Sequence, residues 1–212
     1  MAIPRWLTSR RLELVSVIVM SMTAVLTAWS GFQSAQWSAI QAGSYGEAAG
    51  EHTESVRASN EASQNNAVDL AVFIAWLDAR MNDDLATAEF IYERFPDRLK
   101  IAFDGWLALD PFKNPAAPGS PFEMEGYVVP AAVRAAELEQ AAEEHTVAAQ
   151  HATERANEFV LMTVLFATVL FFASISGKLT SNHNRAAILA VALIGLVAGI
   201  IILLTYPSAP RA

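Results

Sequence analysis

The sequence has no cysteine among its 212 residues, which removes disulfides, thiolate-held metal clusters and a thiol nucleophile from consideration. Charge is also scarce, at 17% of residues against 53% hydrophobic, a balance typical of membrane proteins rather than soluble domains of this length. Proline is absent between Arg5 and Phe95 although the chain holds nine, so nothing in that stretch obliges a helix to stop. Basic residues are few away from the ends, and positions 31–157 carry 20 Asp/Glu against 8 Lys/Arg. Phosphate binding needs the opposite balance, and nucleic acid is not an expected partner. No run alternates strongly enough to predict a strand.

What the chain has in quantity is apolar helix. Residues 12–29, 159–176 and 186–205 approach the roughly 20 residues that cross a bilayer core, and Glu13, at the start of the first, is their only charge. Arg5, Arg10 and Arg11 precede the first span, and Lys178 and Arg185 lie in the short segment between the second and third, which predicts a cytoplasmic position for both. Residues 31–158 and the tail ending Pro210-Arg211-Ala212 are then extracytoplasmic, with Trp29, Phe32, Trp37 and Tyr206 near the outer interface. A competing reading is a signal peptide cut near Ala28-Trp29-Ser30. The bulky Trp29 and a helical pattern that runs across the cut favour a retained span.

The first span passes without a break into an Ala/Gly/Ser-rich helical pattern. At seven-residue steps it reads Ala28, Ala35, Ala42, Ala49, Val56, Ser63, Leu70 and Leu77, and Gly31, Ala35, Ala39 and Gly43 form a four-residue ladder. A later stretch carries a second seam, Ala131, Ala135, Leu138, Ala142, His145, Ala149, Ala152, Ala156 and Phe159. Small residues at these spacings let helices approach closely. The two seams predict an antiparallel hairpin whose facing positions sum to about 189 for straight helices of equal rise. The ladder has two readings, packing within the chain or contact with another copy, and the presence of a second Ala-lined helix favours the first.

The expected fold is therefore an all-α membrane protein with three transmembrane helices, a long antiparallel Ala-rich hairpin and a small helical distal head. Its segments are residues 1–30 (cytoplasmic end and first span), 31–66 (outward stalk), 67–129 (head and Pro-rich linker), 130–158 (return stalk) and 159–212 (remaining spans and tail). The polar residues 60–66 mark the weakest point of the outward helix. Apolar runs around Phe73, Ile91 and Phe103 predict three helical segments in the head. Asn82 or Asp83 is a candidate cap of the second, and Asp97 after Pro96 is placed to open the third. Residues 110–130 hold five prolines and read as an irregular cover that ends where Pro130 opens the return helix.

A seat for chemistry is hard to find. The histidines do not assemble: the pairing estimate sets His52 across from about Glu137 and His145 across from about Ser44. His145 reads as a hydrogen-bonded interface residue, with His52 and His151 solvated. Glu137, Glu139, Glu143 and Glu144 read as a solubilising face. Asp104 and Asp110 flank Trp106 in a pattern that suits either a sheltered carboxylate or an ordinary amphipathic helix. There is no phosphate loop, nucleophile elbow or metalloprotease pattern, so no catalytic, cofactor or metal residue is assigned. Gly195 and Gly199 form a GxxxG pair that serves packing within the chain or dimerisation. Ser16, Thr23, Thr27, Ser30 and Ser34 put hydroxyls on one face of the first helix, and in an oligomer such a stripe is suited to line a pore.

The onset Trp29-Ser30-Gly31-Phe32-Gln33, the segment Trp106-Leu107-Ala108-Leu109-Asp110-Pro111 and above all Val164-Leu165-Phe166-Ala167-Thr168-Val169-Leu170-Phe171-Phe172-Ala173 resemble a family of uncharacterised bacterial three-span membrane proteins. The resemblance implies a bacterial inner-membrane location and carries over no catalytic residue. The expected function is non-enzymatic: an inner-membrane structural or interaction protein, embedded in the lipid bilayer, whose acidic ectodomain self-associates or assists another envelope protein. The alternative is a homo-oligomeric channel lined through Thr23 and Thr27, and a third option is a ligand-sensing head.

Overall fold

A computed structural model describes residues 9–209; Arg5 and the final Pro210-Arg211-Ala212 lie outside the described residues. The elements are α1 (Ser9–Met81), α2 (Leu85–Tyr92), α3 (Asp97–Leu107), a 3-10 turn (Pro121–Glu123), α4 (Pro130–Lys178) and α5 (Asn182–Thr205). There is no strand among the described residues, and α1, α4 and α5 are each long and apolar enough to cross a membrane. α1 continues straight through positions 60–66, where a weak point was expected. The cost of Asn and Ser in a helix is only some tenths of a kcal/mol per residue. Burial of Ala58 and Ala62 on the packed side outweighs it.

Contacts divide the chain into two compact units, Met1–Gly46 with His145–Ala212, and Glu47–Glu144. This division falls within the segments read above as the outward and return stalks.

In the first unit α1 and α5 run parallel and α4 runs against them. At one end Arg11 and Leu12 of α1 line the same groove as Ala186 and Leu189 of α5, and Ser16 donates to the Ala173 carbonyl of α4. At the other end the Gln33 side-chain oxygen accepts from the Ala209 amide at 2.9 Å, and Tyr206 rests edge-on against Phe159 at 5.7 Å. The core between them is Leu12, Val19, Phe166, Val169, Leu189 and Leu196. Arg185, read above as part of the connecting segment, belongs to the first turn of α5.

The second unit begins where α1 is about to stop. Asp83 adopts the left-handed conformation, φ 58°, and the Asp83 and Asp84 amides donate back to the carbonyls of Arg80 and Ala79. This pairing closes a helix C-terminus, and Asp tolerates the conformation better than most residues. Asp83 is thereby unavailable as a cap, and Asp84, rather than Asn82 or Asp83, caps α2 by accepting from the Thr87 amide at 3.1 Å. The Thr87 side chain and then its amide hold the Asp84 carboxyl below its usual range. Asp97 opens α3 directly after Pro96, and Pro130 opens α4, both as expected.

Phe73, Trp76, Phe95, Leu99, Phe103 and Trp106 form the core of this unit. Trp76 and Phe103 meet edge to face at 4.6 Å and 78°. Each such buried side chain contributes about 1.5–3 kcal/mol. The linker is pinned to this core: the Trp106 indole donates to the Pro118 carbonyl at 2.8 Å, and Phe122 stands edge-on to Phe73. Pro121 and Phe122 belong to the 3-10 turn, which carries no periodicity long enough to read in advance.

Candidate functional site

The feature that stands out is a line of hydroxyl and amide side chains on the packed side of α1 in the first unit, with a line of small residues left exposed. Its buried positions in the first unit include Ser16, Thr23, Ser30 and Gln33, with Thr27, Ser34, Trp37 and Ser44 half-buried. The series Ala28, Ala35 and Ala42 is exposed, as are Ala49, Val56, Ser63 and Leu70 of the second unit. The expectation that this Ala seam packs on the return helix is therefore overturned: in the first unit Ala28 stands two residues from buried Ser30, about 200° around the helix, nearly opposite the packed face.

The reason lies in what α4 offers. Its Ala seam is buried as expected, including Ala142 in the second unit and Ala149, Ala152 and Ala156 in the first. A helix lined by alanine brings its backbone carbonyls close to a neighbour, and a serine there fits nearly as tightly as alanine while also donating a hydrogen bond. Ser16 donates to the Ala173 carbonyl at 3.0 Å in the first unit, and Ser55 to the Ala135 carbonyl at 2.9 Å in the second. The first bond falls on the pairing estimated from sequence and the second one residue off it.

The hydroxyl stripe assigned above to a pore is thus taken up within the chain. Thr23, fully buried, donates to the Val19 carbonyl at 2.6 Å, and Thr27 to the Thr23 carbonyl at 2.8 Å. Ser30 is fully buried, and its hydroxyl meets no partner among the described residues.

The ladder Gly31, Ala35, Ala39 and Gly43 lies on the free face, and all four are exposed, contrary to the packing expected within the chain. A Cβ added at Gly31, Gly43 or Gly46 would meet nothing within 4 Å. Trp29 and Phe32, with ring centroids 6.0 Å apart, and Tyr45 are exposed along the same stretch. The GxxxG pair of α5 behaves differently. A Cβ on Gly195 would come within 2.9 Å of Val169 Cγ2, and one on Gly199 within 2.6 Å of Phe166 Cε1. Those two glycines serve contact between α5 and α4.

The most buried polar cluster escaped the sequence reading. Asp69 of α1 is completely buried and accepts from Arg98 Nε at 2.7 Å and Nη2 at 2.8 Å. The Tyr127 hydroxyl lies 2.9 Å from Asp69 Oδ2 and 2.8 Å from Asn66 Oδ1. A phenol has one hydrogen, so it serves both only if the Asn66 amide is turned end for end and donates to the phenol oxygen. Burial first, then the bond to Asp69, pushes the Tyr127 phenol up to about 12. The bond to Asp69 also raises the Arg98 guanidinium above its usual value. The signal was present: Asp69 precedes Phe73 by four residues and Trp76 by seven, the spacing of one helix face. An acid on a core face calls for a buried partner.

The remaining candidates are ordinary surface chemistry. His52, expected to be solvated, pairs with Glu139 at 3.0 Å with both side chains exposed, and this holds the Glu139 carboxyl below its usual range. His151 lies 3.5 Å from Glu154, and His145 is half-buried. Asp104 is exposed and accepts from the Tyr92 hydroxyl at 2.8 Å, while Asp110 pairs with Lys113, so no sheltered carboxylate flanks Trp106. Among the described residues no group of three or more His, Asp or Glu is placed to hold a metal ion. In comparisons with known proteins the chain matches no family model, no curated protein and no solved structure.

Proposed function

We propose that the chain is a non-enzymatic inner-membrane protein that presents an acidic helical ectodomain outside the cytoplasm and assembles through the free face of α1. The observation that carries this reading is the exposure of Gly31, Ala35, Ala39 and Gly43, with open space around the two glycines. A helix that leaves such a ladder uncovered allows a second helix within about 8 Å of its axis, where backbone and side-chain contacts are densest. Trp29 and Phe32 beside it provide large, adaptable contacts of the kind that anchor interfaces. The favoured occupant is a second copy, with an accessory role toward another envelope protein as the other form of the same assembly. The orientation rests on the basic residues Arg10, Arg11, Lys178 and Arg185, and the bacterial location on the resemblance described above.

The absence of cysteine gives a clean test. Ala39→Cys in an otherwise native chain should form a disulfide-linked dimer in oxidised membranes, while Val160→Cys, exposed on α4, should not. Mass measurement in nanodiscs should show a dimer or larger, and Gly43→Leu should shift it to monomer. A strictly monomeric protein that captures nothing after cross-linking in cells overturns the proposal.

A further inference from the structure

In the second unit the end of α1 meets α2 and α3 around a cavity of about 500 Å³, within the roughly 300–1,000 Å³ of small-molecule sites. Each helix contributes residues three or four apart, or adjacent, and so from one face: Trp76 and Arg80 of α1, Glu89 and Tyr92 of α2, Phe103 and Asp104 of α3. Trp76 and Phe103 are buried and meet edge to face at 4.6 Å, which gives the cavity an aromatic floor. Arg80, Glu89 and Asp104 are exposed and bring charges of both signs to the same space. Arg80 and Glu89 have no side-chain hydrogen bond or ion pair among the described residues, either with each other or elsewhere. Asp104 accepts from the Tyr92 hydroxyl through Oδ1, and its Oδ2 has no such bond among the described residues. Lys100, with its ammonium 4.5 Å from the centre of the Tyr92 ring, does not line the cavity.

We propose that this cavity binds a zwitterionic α-amino acid with a large apolar side chain. The side chain lies over Trp76 and Phe103, the carboxylate meets Arg80, and the ammonium meets Glu89 and Asp104. The charges select this class over simpler ones. A plain anion would face two carboxylates, a plain cation would face Arg80, and an uncharged apolar molecule would desolvate all three groups without answering them. A guanidinium fork suits a carboxylate, and an ammonium between carboxylates makes charge-assisted hydrogen bonds. Arg80 and Glu89 stand on separate helices and do not reach each other, so one molecule carrying both opposite charges can satisfy them together. The aromatic floor then favours a large side chain over a small one. The site is independent of assembly through α1, because its lining residues all lie in the second unit and none belongs to the exposed ladder.

Isothermal titration calorimetry of the full chain in nanodiscs tests this with four probes. L-Phenylalanine should bind with a Kd below about 1 mM. Phenethylamine lacks the carboxylate, hydrocinnamate lacks the ammonium and glycine lacks the side chain, so each should bind at least about tenfold more weakly. Arg80→Met should abolish the preference for L-phenylalanine over phenethylamine and keep its preference over hydrocinnamate. Glu89→Gln with Asp104→Asn should do the reverse. These side chains are exposed, and asparagine can still accept from the Tyr92 hydroxyl, so the variants should fold and give a native near-UV circular dichroism spectrum. No binding of L-phenylalanine at about 10 mM, glycine or either single-charge probe binding as tightly as L-phenylalanine, or both preferences surviving in both variants overturns the proposal.

Discussion

Replacing Arg98 with methionine removes the charge that faces Asp69 while keeping an apolar stem of similar length. Asp69 is completely enclosed, and Arg98 reaches both of its oxygens with a side chain that is 24% exposed. Taking one partner from a buried ion pair costs about 3–5 kcal/mol, because the other charge stays behind without compensation. Partial water access to this pair and the remaining hydroxyl of Tyr127 place the expected cost near the lower end, about 3 kcal/mol. At roughly 2–4 °C per kcal/mol for a chain of this size, Tm should fall by roughly 6–12 °C. Near-UV circular dichroism of the protein in nanodiscs would follow it, since Trp76 and Trp106 lie in the same core. Asp69→Leu combined with Arg98→Met removes both charges and should recover most of the loss. The reasoning fails if Arg98→Met melts within about 0.5 kcal/mol of the native chain, or if the double variant melts no higher than the single one.

Gly199→Ala should cost about 1–3 kcal/mol in thermal unfolding, because its Cβ would press on the ring of Phe166, which is fully buried. Gly46→Ala, with open space around it, should instead stabilise by about 0.4–1 kcal/mol. Ser55→Ala should cost about 1 kcal/mol through the lost bond to Ala135, whereas Ala49→Ser, on the exposed face, should change stability by less than about 0.5 kcal/mol. Tyr127 titrates higher in the folded protein, at about 12, than the roughly 10 of an unfolded chain. Its contribution is complete below the unfolded value and is lost as pH rises through the folded one, so Tyr127→Phe should flatten the alkaline decline of stability measured from pH 9 upward.

The helix inventory was legible because hydropathy and the absence of proline act over many residues, and the Ala seam of α4 was legible because periodicity averages over several turns. The side on which α1 packs was not. Alanine and serine differ little in volume, so period alone cannot separate the series through Ala28 and Ala35 from the one through Ser16, Thr23 and Ser30. What decides between them is how closely each face fits the Ala-lined side of α4, a property of the pair and invisible in either helix alone. Asp69 was passed over for a related reason: its partners lie 29 and 58 residues away. The cap of α2 was missed by one or two positions because Asp83 is committed to a left-handed turn, and backbone conformation at a single residue leaves no periodic trace.

The hydroxyl bonds of α1 also bear on biogenesis. Thr23 and Thr27 bond to carbonyls of their own helix, so the first span can leave the translocon and enter hydrocarbon with those groups already satisfied. The acceptor of Ser16 is 157 residues downstream and is synthesised much later. Until then Ser16 can use a carbonyl of its own helix, as serines in lone spans do, and pairing with α4 exchanges one hydrogen bond for another at little net gain. Insertion and assembly are thus separable events. The first helix is held by its apolar length alone, and the close fit of serine against alanine then selects the returning helix as its neighbour.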